Sequence, residues 1–232
     1  MKKLPVILSV LLLFLLSCKK QDDSQLFVGK IQIQGKVTDD HTNEGVPNVT
    51  IVIDGISSLG FMGGIRKEVG RTTTNQNGDF STTINKIKKP IRYDFSFYEN
   101  DDFFIPGNKS NISEEMLIEE GMDLHFPAYK LSDFIIELKK VSETDIIDTI
   151  RVSWSSPGLY MGAVHDVTIE GDEPYLGYMW KGYEVNSTII TKSIANRETI
   201  ISWALNRHGS LTYSHDTIIC ERHAENVFII EY

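Results

Sequence analysis

The sequence predicts an all-β protein, built as tandem antiparallel β-sandwiches behind a cleaved export signal. Apolar and polar residues alternate in several short runs, which is the period of half-buried strands. Turn-rich segments separate these runs at intervals of roughly ten residues, a spacing typical of β-sandwiches. The formal net charge of −9 disfavours nucleic acid and anionic lipid headgroups as ligands.

The N-terminus has the organisation of an export signal. Two lysines precede residues 4–16, which carry no charge and would form a helix of about 20 Å, too short for a hydrocarbon core of roughly 30 Å. The following LLSC, which ends at Cys18, resembles the lipobox of bacterial lipoproteins. This resemblance implies removal of residues 1–17 and acylation of Cys18. The alternatives are an ordinary secreted protein and an uncleaved signal anchor.

Residues 18–28 are predicted to be a tether between the lipidated cysteine and the folded part. Its sequence KKQDD resembles the acidic export tag of surface lipoproteins of the Bacteroidetes. That implies anchoring in the bacterial outer membrane by the acyl chains on Cys18, with the protein exposed on the cell surface. The alternative is a solvated tether without a targeting role, with the protein on the periplasmic face.

Residues 29–141 are predicted to form the first β-sandwich. The pair Asn77-Gly78 lies between two alternating runs and predicts a tight hairpin, because both residues tolerate a positive φ. The apolar strand faces are expected to carry Ile31, Ile33 and Val37, then Val49, Ile51 and Ile53, then Tyr93, Phe95 and Phe97, and finally Phe134, Ile136 and Leu138.

The stretches GKVTDDHTNEGVPNVTIVIDG and GRTTTNQNGDFSTTI resemble the carboxypeptidase regulatory-like domain. Asn75 stands where that family often has Asp. The resemblance implies a transthyretin-like Greek-key sandwich that serves as a non-catalytic appendage, and it brings no catalytic residue with it. The matching positions are Gly35, Val37, Asp39, Gly45, Pro47, Val49, Thr72, Thr74, Gly78 and Phe80.

The loop of residues 55–69 is longer than that family pattern requires. Phe61 and Met62 lie in it among three glycines, and large apolar groups on a flexible frame are frequent in binding loops. The two side chains are therefore a candidate binding loop. The alternative is that they fold back onto the sandwich or onto the neighbouring domain.

Residues 142–232 are predicted to be a second β-sandwich domain of unknown role, whose apolar final run at 227–232 must be paired. The alternative is one continuous two-layer fold. A segment rich in glycine concentrates aromatic residues that could form a surface for sugars or protein partners, or could belong to the core. They are Tyr160, Tyr175, Tyr178, Trp180 and Tyr183.

The remaining chemical motifs are weak. His208, His215 and His223 do not have a common metal-ligand spacing, so neither a metal nor another cofactor is expected. Cys220 lies in an apolar run and is predicted to be a small buried hydrophobe. Asp148-Thr149 and Asp216-Thr217, each followed by isoleucine, resemble the acceptor of Bacteroidetes protein O-glycosylation, which makes the two threonines candidate glycosylation sites.

These features predict an outer-membrane lipoprotein that acts as a non-catalytic binding or scaffolding module for a glycan, a peptide or an envelope protein. The alternative is a structural subunit of a surface fibre or adhesin, which should show an exposed edge strand or donate a terminal strand such as residues 227–232. An uncharacterised hydrolase is a further alternative. The sequence contains no catalytic motif that would identify one.

Overall fold

The structure is a computed structural model that describes residues 26–58, 64–98, 101–106, 112–113, 117, 123–141, 147–158 and 167–232. Regular structure within these ranges is almost entirely β-strand, which confirms the all-β prediction. The strands are β1 (Phe27–Asp39), β2 (Thr50–Ser58), β3 (Gly64–Thr73), β4 (Asp79–Ile87), β5 (Pro90–Tyr98), β6 (Phe103–Phe104), β7 (Asp123–Lys139), β8 (Asp148–Ser155), β9 (Thr168–Gly171), β10 (Met179–Gly182), β11 (Asn186–Ile194), β12 (Glu198–Arg207), β13 (Ser210–Ile219) and β14 (Asn226–Glu231).

The first hydrophobic core lies between two sheets. β4, β1 and the first half of β7 form one layer, and β3, β2 and β5 form the other. The period-two alternation of β1 explains its role, because Ile33 and Val37 are buried while Gln32 and Gln34 face solvent. Phe126 of β7 packs its ring against three other phenylalanines of this core, Phe80, Phe95 and Phe97.

The predicted hairpin at Asn77-Gly78 is wrong, because the two strands around this turn belong to different sheets. β3 pairs with β2, whereas β4 pairs with β1. Gly78 has a φ of +78°, and a Cβ there would lie 2.3 Å from the carbonyl oxygen of Val37. The turn is therefore pressed against the end of β1, and its backbone bonds to Val37 instead of closing a two-stranded ladder (Val37 N to Gly78 O, 2.9 Å).

β7 is shared by both hydrophobic cores. Its residues Leu124, Phe126 and Ala128 pack in the first core. Phe134, Ile136 and Leu138, which the sequence assigned to the first sandwich, pack in the second. The two cores therefore part within β7, and the predicted domain boundary at residue 141 stays a prediction.

The second core lies between the sheet β10-β8-β12-β13 and a layer formed by β14, the second half of β7, β11 and β9. Trp180 fills its centre and is 1% exposed. The final strand β14 pairs with β7 of its own chain, as the apolar run at 227–232 required. Cys220 is fully buried in this core, which confirms the prediction of a small buried hydrophobe.

Two strand pairs differ from the antiparallel arrangement that the sequence predicts. β7 is parallel to β1 along residues 123–128 and parallel to β14 along residues 134–139. Parallel neighbours need long crossover connections, and here each connection contains most of the strands of one sandwich.

Within the described ranges there is no helix long and apolar enough to cross a membrane.

Candidate functional site

The second sandwich presents one face of the sheet β10-β8-β12-β13 to solvent. Along β8, Ile150 and Val152 face the core, so the alternate residues Thr149 and Arg151 face outward. The register of the neighbouring strands aligns their outward residues with those of β8. Together these residues line an open cavity of about 500 Å³, here called the outer-face groove, formed by Thr149, Arg151, Ser153, Met179, Ser202, Ala204, Asn206, Leu211, Tyr213 and His215.

The outer-face groove combines a mostly polar floor on β8 and β12 with an apolar and aromatic wall on β13. Tyr213 is 78% exposed and Leu211 is 50% exposed, so both offer a large apolar surface to a ligand. Hydroxyl and amide groups surround this surface and can donate and accept hydrogen bonds. Rigid aromatic surface beside adaptable polar groups is the composition of sites that bind sugars and peptides.

The groove is cationic although the protein as a whole is acidic. Arg151 and His215 line it, and Lys181 of β10 lies beside it because its strand register pairs it with Thr149. Within the described part of the chain, none of these three side chains forms an ion pair, and no residue lining the groove is acidic. A free carboxylate, sulfate or phosphate on a ligand would therefore meet uncompensated positive charge.

The strand that borders the groove, β13, is a free sheet edge. It pairs with β12 on one side, and no described strand pairs with its other side. Nine of its ten residues are exposed, and they include residues on both faces of the strand. His208 and Gly209 connect it to β12 through positive φ values of 53° and 77°, which is the geometry of a type I′ hairpin turn.

A buried ion cluster supports the groove from beneath. Asp148 is 1% exposed and accepts two hydrogen bonds from the Arg207 guanidinium, at 3.1 and 2.9 Å, while the Lys140 ammonium lies 3.4 Å away. Burial raises the pKa of the Asp148 carboxyl, but the hydrogen bond and charge of Arg207 and the charge of Lys140 outweigh burial, and the pKa lies below its ordinary value. This carboxylate is therefore ionised, and it ties the start of β8 to the end of β12.

A second, smaller cavity of about 240 Å³ lies where the two cores meet. Asp39 at the end of β1 accepts a hydrogen bond of 2.6 Å from Arg222, and Asp40 accepts one of 2.7 Å from Arg197. Burial raises the pKa of the Asp39 carboxyl, but the hydrogen bonds from the His41 amide and from Arg222 outweigh burial. The pKa of Asp39 therefore lies below its ordinary value. These ion pairs connect the first sandwich to the second, so we assign this cavity to the junction.

The described aromatic residues of the glycine-rich segment divide between the core and the surface. Trp180 is a core residue whose indole Nε1 donates to the Asp172 carbonyl oxygen at 2.7 Å. Tyr178 is partly buried and packs edge-on against Trp154 at 5.0 Å between ring centroids. Tyr175 and Tyr183 are exposed, at 75% and 61%. The glycine-rich segment thus supplies packing as well as exposed rings, and Tyr160 lies outside the described residues.

Other predicted sites lie partly outside the description. Cys18, Phe61 and Met62 belong to ranges that the structure does not describe, so lipidation and the binding loop stay predictions. Thr149 lines the outer-face groove, and Thr217 is exposed on β13. Among the described residues, no group of three or more His, Cys, Asp or Glu side chains is placed to hold a metal ion.

Sequence reasoning missed the groove: of its lining it named Thr149 as a candidate glycosylation site and His215 only among histidines without metal-ligand spacing. The signal that could have found it is the His208-Gly209 turn between two runs of equal length, because that turn places Tyr213 and His215 opposite Ala204 and Ser202. Sequence alone could not show that the resulting face is concave. Concavity depends on how the sheet twists beside β8 and β10.

No family model matches the chain, and no curated protein sequence matches it. The resemblance to the carboxypeptidase regulatory-like domain therefore gains no support. Solved structures with a coarse likeness include the shaft pilin SpaA from Lactobacillus rhamnosus GG, at 8% identity, with 87% of this chain and 98% of that chain covered and a TM-score of 0.34. A Streptococcal ancillary pilin matches at 11% identity, covering 87% and 62%, with a TM-score of 0.35. BcpA, the major pilin subunit of Bacillus cereus, matches at 8% identity, covering 83% and 69%, with a TM-score of 0.28. Likenesses at this level do not extend to function or assembly.

Proposed function

We propose that this protein is a non-catalytic binding protein of the bacterial envelope, and that the outer-face groove is its ligand site. The observation that carries this proposal is the union, in one described groove, of the exposed Tyr213 ring with the Arg151 guanidinium and the His215 imidazole, neither of which forms an ion pair with a described residue. A pocket with convergent polar groups beside an apolar wall is the usual form of a ligand site.

The ligand class that fits best is an acidic glycan, for example a chain of uronic acid units. The Tyr213 ring offers a stacking face for a sugar ring. Arg151 and Lys181 supply charge for carboxylates, and Ser202 and Asn206 supply hydrogen-bonding groups. An acidic peptide or an envelope protein is the competing ligand, and the experiment below separates them.

The test is affinity electrophoresis and calorimetry with polygalacturonate, with neutral dextran and polyglutamate as comparison polymers. We expect binding to polygalacturonate, and a weakening of about tenfold or more for Tyr213→Ala and for Arg151→Glu, equivalent to about 1.4 kcal/mol. Lys30→Glu, an exposed lysine on β1 of the first sandwich, is the control and should bind as the native protein does. Stronger binding to polyglutamate would show that the ligand is an acidic peptide, and equal binding by all variants would contradict the groove assignment.

A catalytic role finds little support in the groove. Ser202 and His215 face each other across β12 and β13, but no hydrogen bond joins their side chains among the described contacts. The buried carboxylate at the start of β8, Asp148, already binds Arg207 and Lys140. A serine without an engaged base is a weak nucleophile.

The anchoring part of the proposal rests on Cys18 and on the sequence that surrounds it. We propose that the protein is held in the outer membrane by acyl chains on this cysteine, with the groove exposed on the cell surface. Protease shaving of intact cells should cleave the native protein while Cys18→Ala is lost from the membrane fraction. A lipidated but protected protein would place it on the periplasmic face, and an unlipidated one would remove the anchor.

A second candidate function is a subunit of a surface assembly, and the free edge of β13 favours it. The sequence offered residues 227–232 as a strand that could be donated to a neighbour. β14 pairs with β7 of its own chain along residues 134–139, whereas β13 is the exposed edge strand that the same hypothesis also expected. Several described strands lie at sheet edges, and β13 is the most exposed of them, so we place the assembly contact at β13.

A further inference from the structure

We infer that β13 pairs with β13 of a second copy, antiparallel and in one register, so that His215 lies opposite His215 and a closed two-fold dimer forms. This inference rests on the second candidate function and deepens it. It replaces an open fibre by a closed pair, because an interface that uses the same surface on both copies is complete after two subunits.

The hydrogen-bonding groups of the free edge are fixed by the hairpin. A two-residue turn makes Arg207 and Ser210 a hydrogen-bonded pair, and such pairs alternate along an antiparallel ladder. The even-numbered residues of β13 therefore bond to β12. The N–H and C=O groups of the odd-numbered residues from Leu211 to Ile219 point away from the sheet, toward any incoming strand.

Self-complementarity selects the register. With His215 opposite itself, Leu211 lies opposite Ile219, and Tyr213 lies opposite Thr217. The exposed apolar side chains Leu211 and Ile219, 50% and 60% exposed, then cover each other. Aromatic residues opposite β-branched ones and apolar pairs are favourable cross-strand neighbours. On the opposite face of the strand, Asp216 meets Ser214, so the register brings no two carboxylates together.

β13 lacks most of the features that prevent edge strands from pairing. It contains neither lysine nor proline, and its ladder with β12 shows no bulge over ten residue pairs. One guard is present: the Asp216 carboxylate accepts a hydrogen bond of 2.7 Å from the Thr217 amide, which is one of the outward-pointing groups. This contact has to open when a second strand docks, and that makes Asp216 a determinant of dimer affinity.

Pairing also joins the two ligand sites. The sheet β10-β8-β12-β13 would continue through β13 of the second copy, and the two outer-face grooves would lie on the same side of the combined sheet. The two Tyr213 rings would then border the two-fold axis. An extended polymer could contact both grooves, and the dimer would bind it with higher apparent affinity than a single copy.

Cysteine cross-linking in the full-length lipidated protein tests the register. Hydrogen-bonded neighbours on antiparallel strands have Cα atoms about 5.5 Å apart, within the range of a disulfide. We expect His215→Cys to form a covalent dimer on mild oxidation in intact cells. Tyr213→Cys alone should not cross-link, because its two copies are displaced by four residues along the strands, but it should cross-link when mixed with Thr217→Cys. The parent chain, whose Cys220 is buried, is the background control.

A second measurement separates the register from the assembly itself. Sedimentation in detergent should show a dimer for the native protein. Ile219→Lys and His215→Lys should each lower the dimer affinity at least tenfold, and Asp216→Ala should raise the dimer affinity. Ile229→Lys, on the exposed side of β14, is the matched control and should leave the dimer unchanged. A native monomer overturns both the dimer and the second candidate function. Association without the His215→Cys cross-link overturns the closed dimer and leaves an assembly of another geometry.

Discussion

Replacing Asp148 by asparagine should be far more damaging than its conservative chemistry suggests. The change keeps the shape of the side chain but removes the charge that two buried or half-buried cations share. Arg207 donates to both carboxylate oxygens, at 3.1 and 2.9 Å, and bonds of this kind are worth about 1.5–3 kcal/mol each. Asparagine offers one neutral acceptor in their place, and its NH2 group then faces the other Arg207 donor. Lys140, whose side chain is 4% exposed, loses the carboxylate that lies 3.4 Å from its ammonium group. Removal of one partner from a buried pair typically costs about 3–5 kcal/mol, and we expect a loss in this range.

Urea denaturation followed by tryptophan fluorescence measures this loss. Trp154 and Trp180 lie in the same core as Asp148 and report its unfolding. In a separate thermal unfolding experiment, the midpoint temperature should fall by roughly 6–20 °C, given about 2–4 °C per kcal/mol for a chain of this size. The matched control is Asp102→Asn. The Asp102 side chain is 70% exposed and forms a 2.9 Å ion pair with Lys130, so its replacement should lower the free energy of unfolding by less than about 1 kcal/mol. Equal losses for the two variants would refute the buried-cluster argument.

Three further results are expected. The free energy of unfolding should fall as the pH drops below about 4. The pKa values of Asp39 and Asp148 in the folded state lie below their ordinary values, so the stability that these carboxylates contribute is lost as the pH falls through the folded-state values. Unfolding measured over an acid titration should show a shallower fall for Asp148→Asn. Gly78→Ala should lower the free energy of unfolding clearly more than Gly209→Ala does. Both glycines have φ near +78°, which alone costs an alanine roughly 1–2 kcal/mol, but only at Gly78 would the Cβ meet backbone, at 2.3 Å. Equal losses in denaturation would contradict the close packing of that turn. Cys220 should react with a maleimide only after unfolding, since burial raises its pKa despite hydrogen bonds from Thr199 and Ser193, and rapid labelling of the folded protein would show that the core opens.

Alternation along the chain predicted the strands well because it reports a local property. β1, β2 and β7 bury the residues that the sequence placed on their apolar faces, such as Ile33, Ile51 and Ile136. Pairing was less predictable. Asn77-Gly78 has the composition of a hairpin turn, but Gly45 approaches Asn77 so closely that the turn packs against β1 and its flanking strands enter different sheets.

The candidate site was less predictable than the strands because it depends on relations between distant segments. Trp180 lies in an aromatic-rich segment beside exposed tyrosines, and no local pattern distinguishes it as a core residue. Its burial follows from the pairing of β10 with β8, in which Trp180 lies opposite Ile150, a residue thirty positions earlier in the chain. Tyr213 and Arg151 are likewise brought to one face only by the register of three strands.

The structure also makes the two candidate glycosylation sites incompatible with other proposed roles. Asp148 is held in the core by Arg207, so the aspartate of the first motif is not accessible, and a glycan on Thr149 would fill the outer-face groove. Asp216 and Thr217 are exposed on β13, which favours the second motif. A glycan on Thr217 would stand where Tyr213 of a second copy must pack, so a chain glycosylated there would be monomeric. Modification of Thr217 and pairing of β13 are therefore competing fates of the same edge strand.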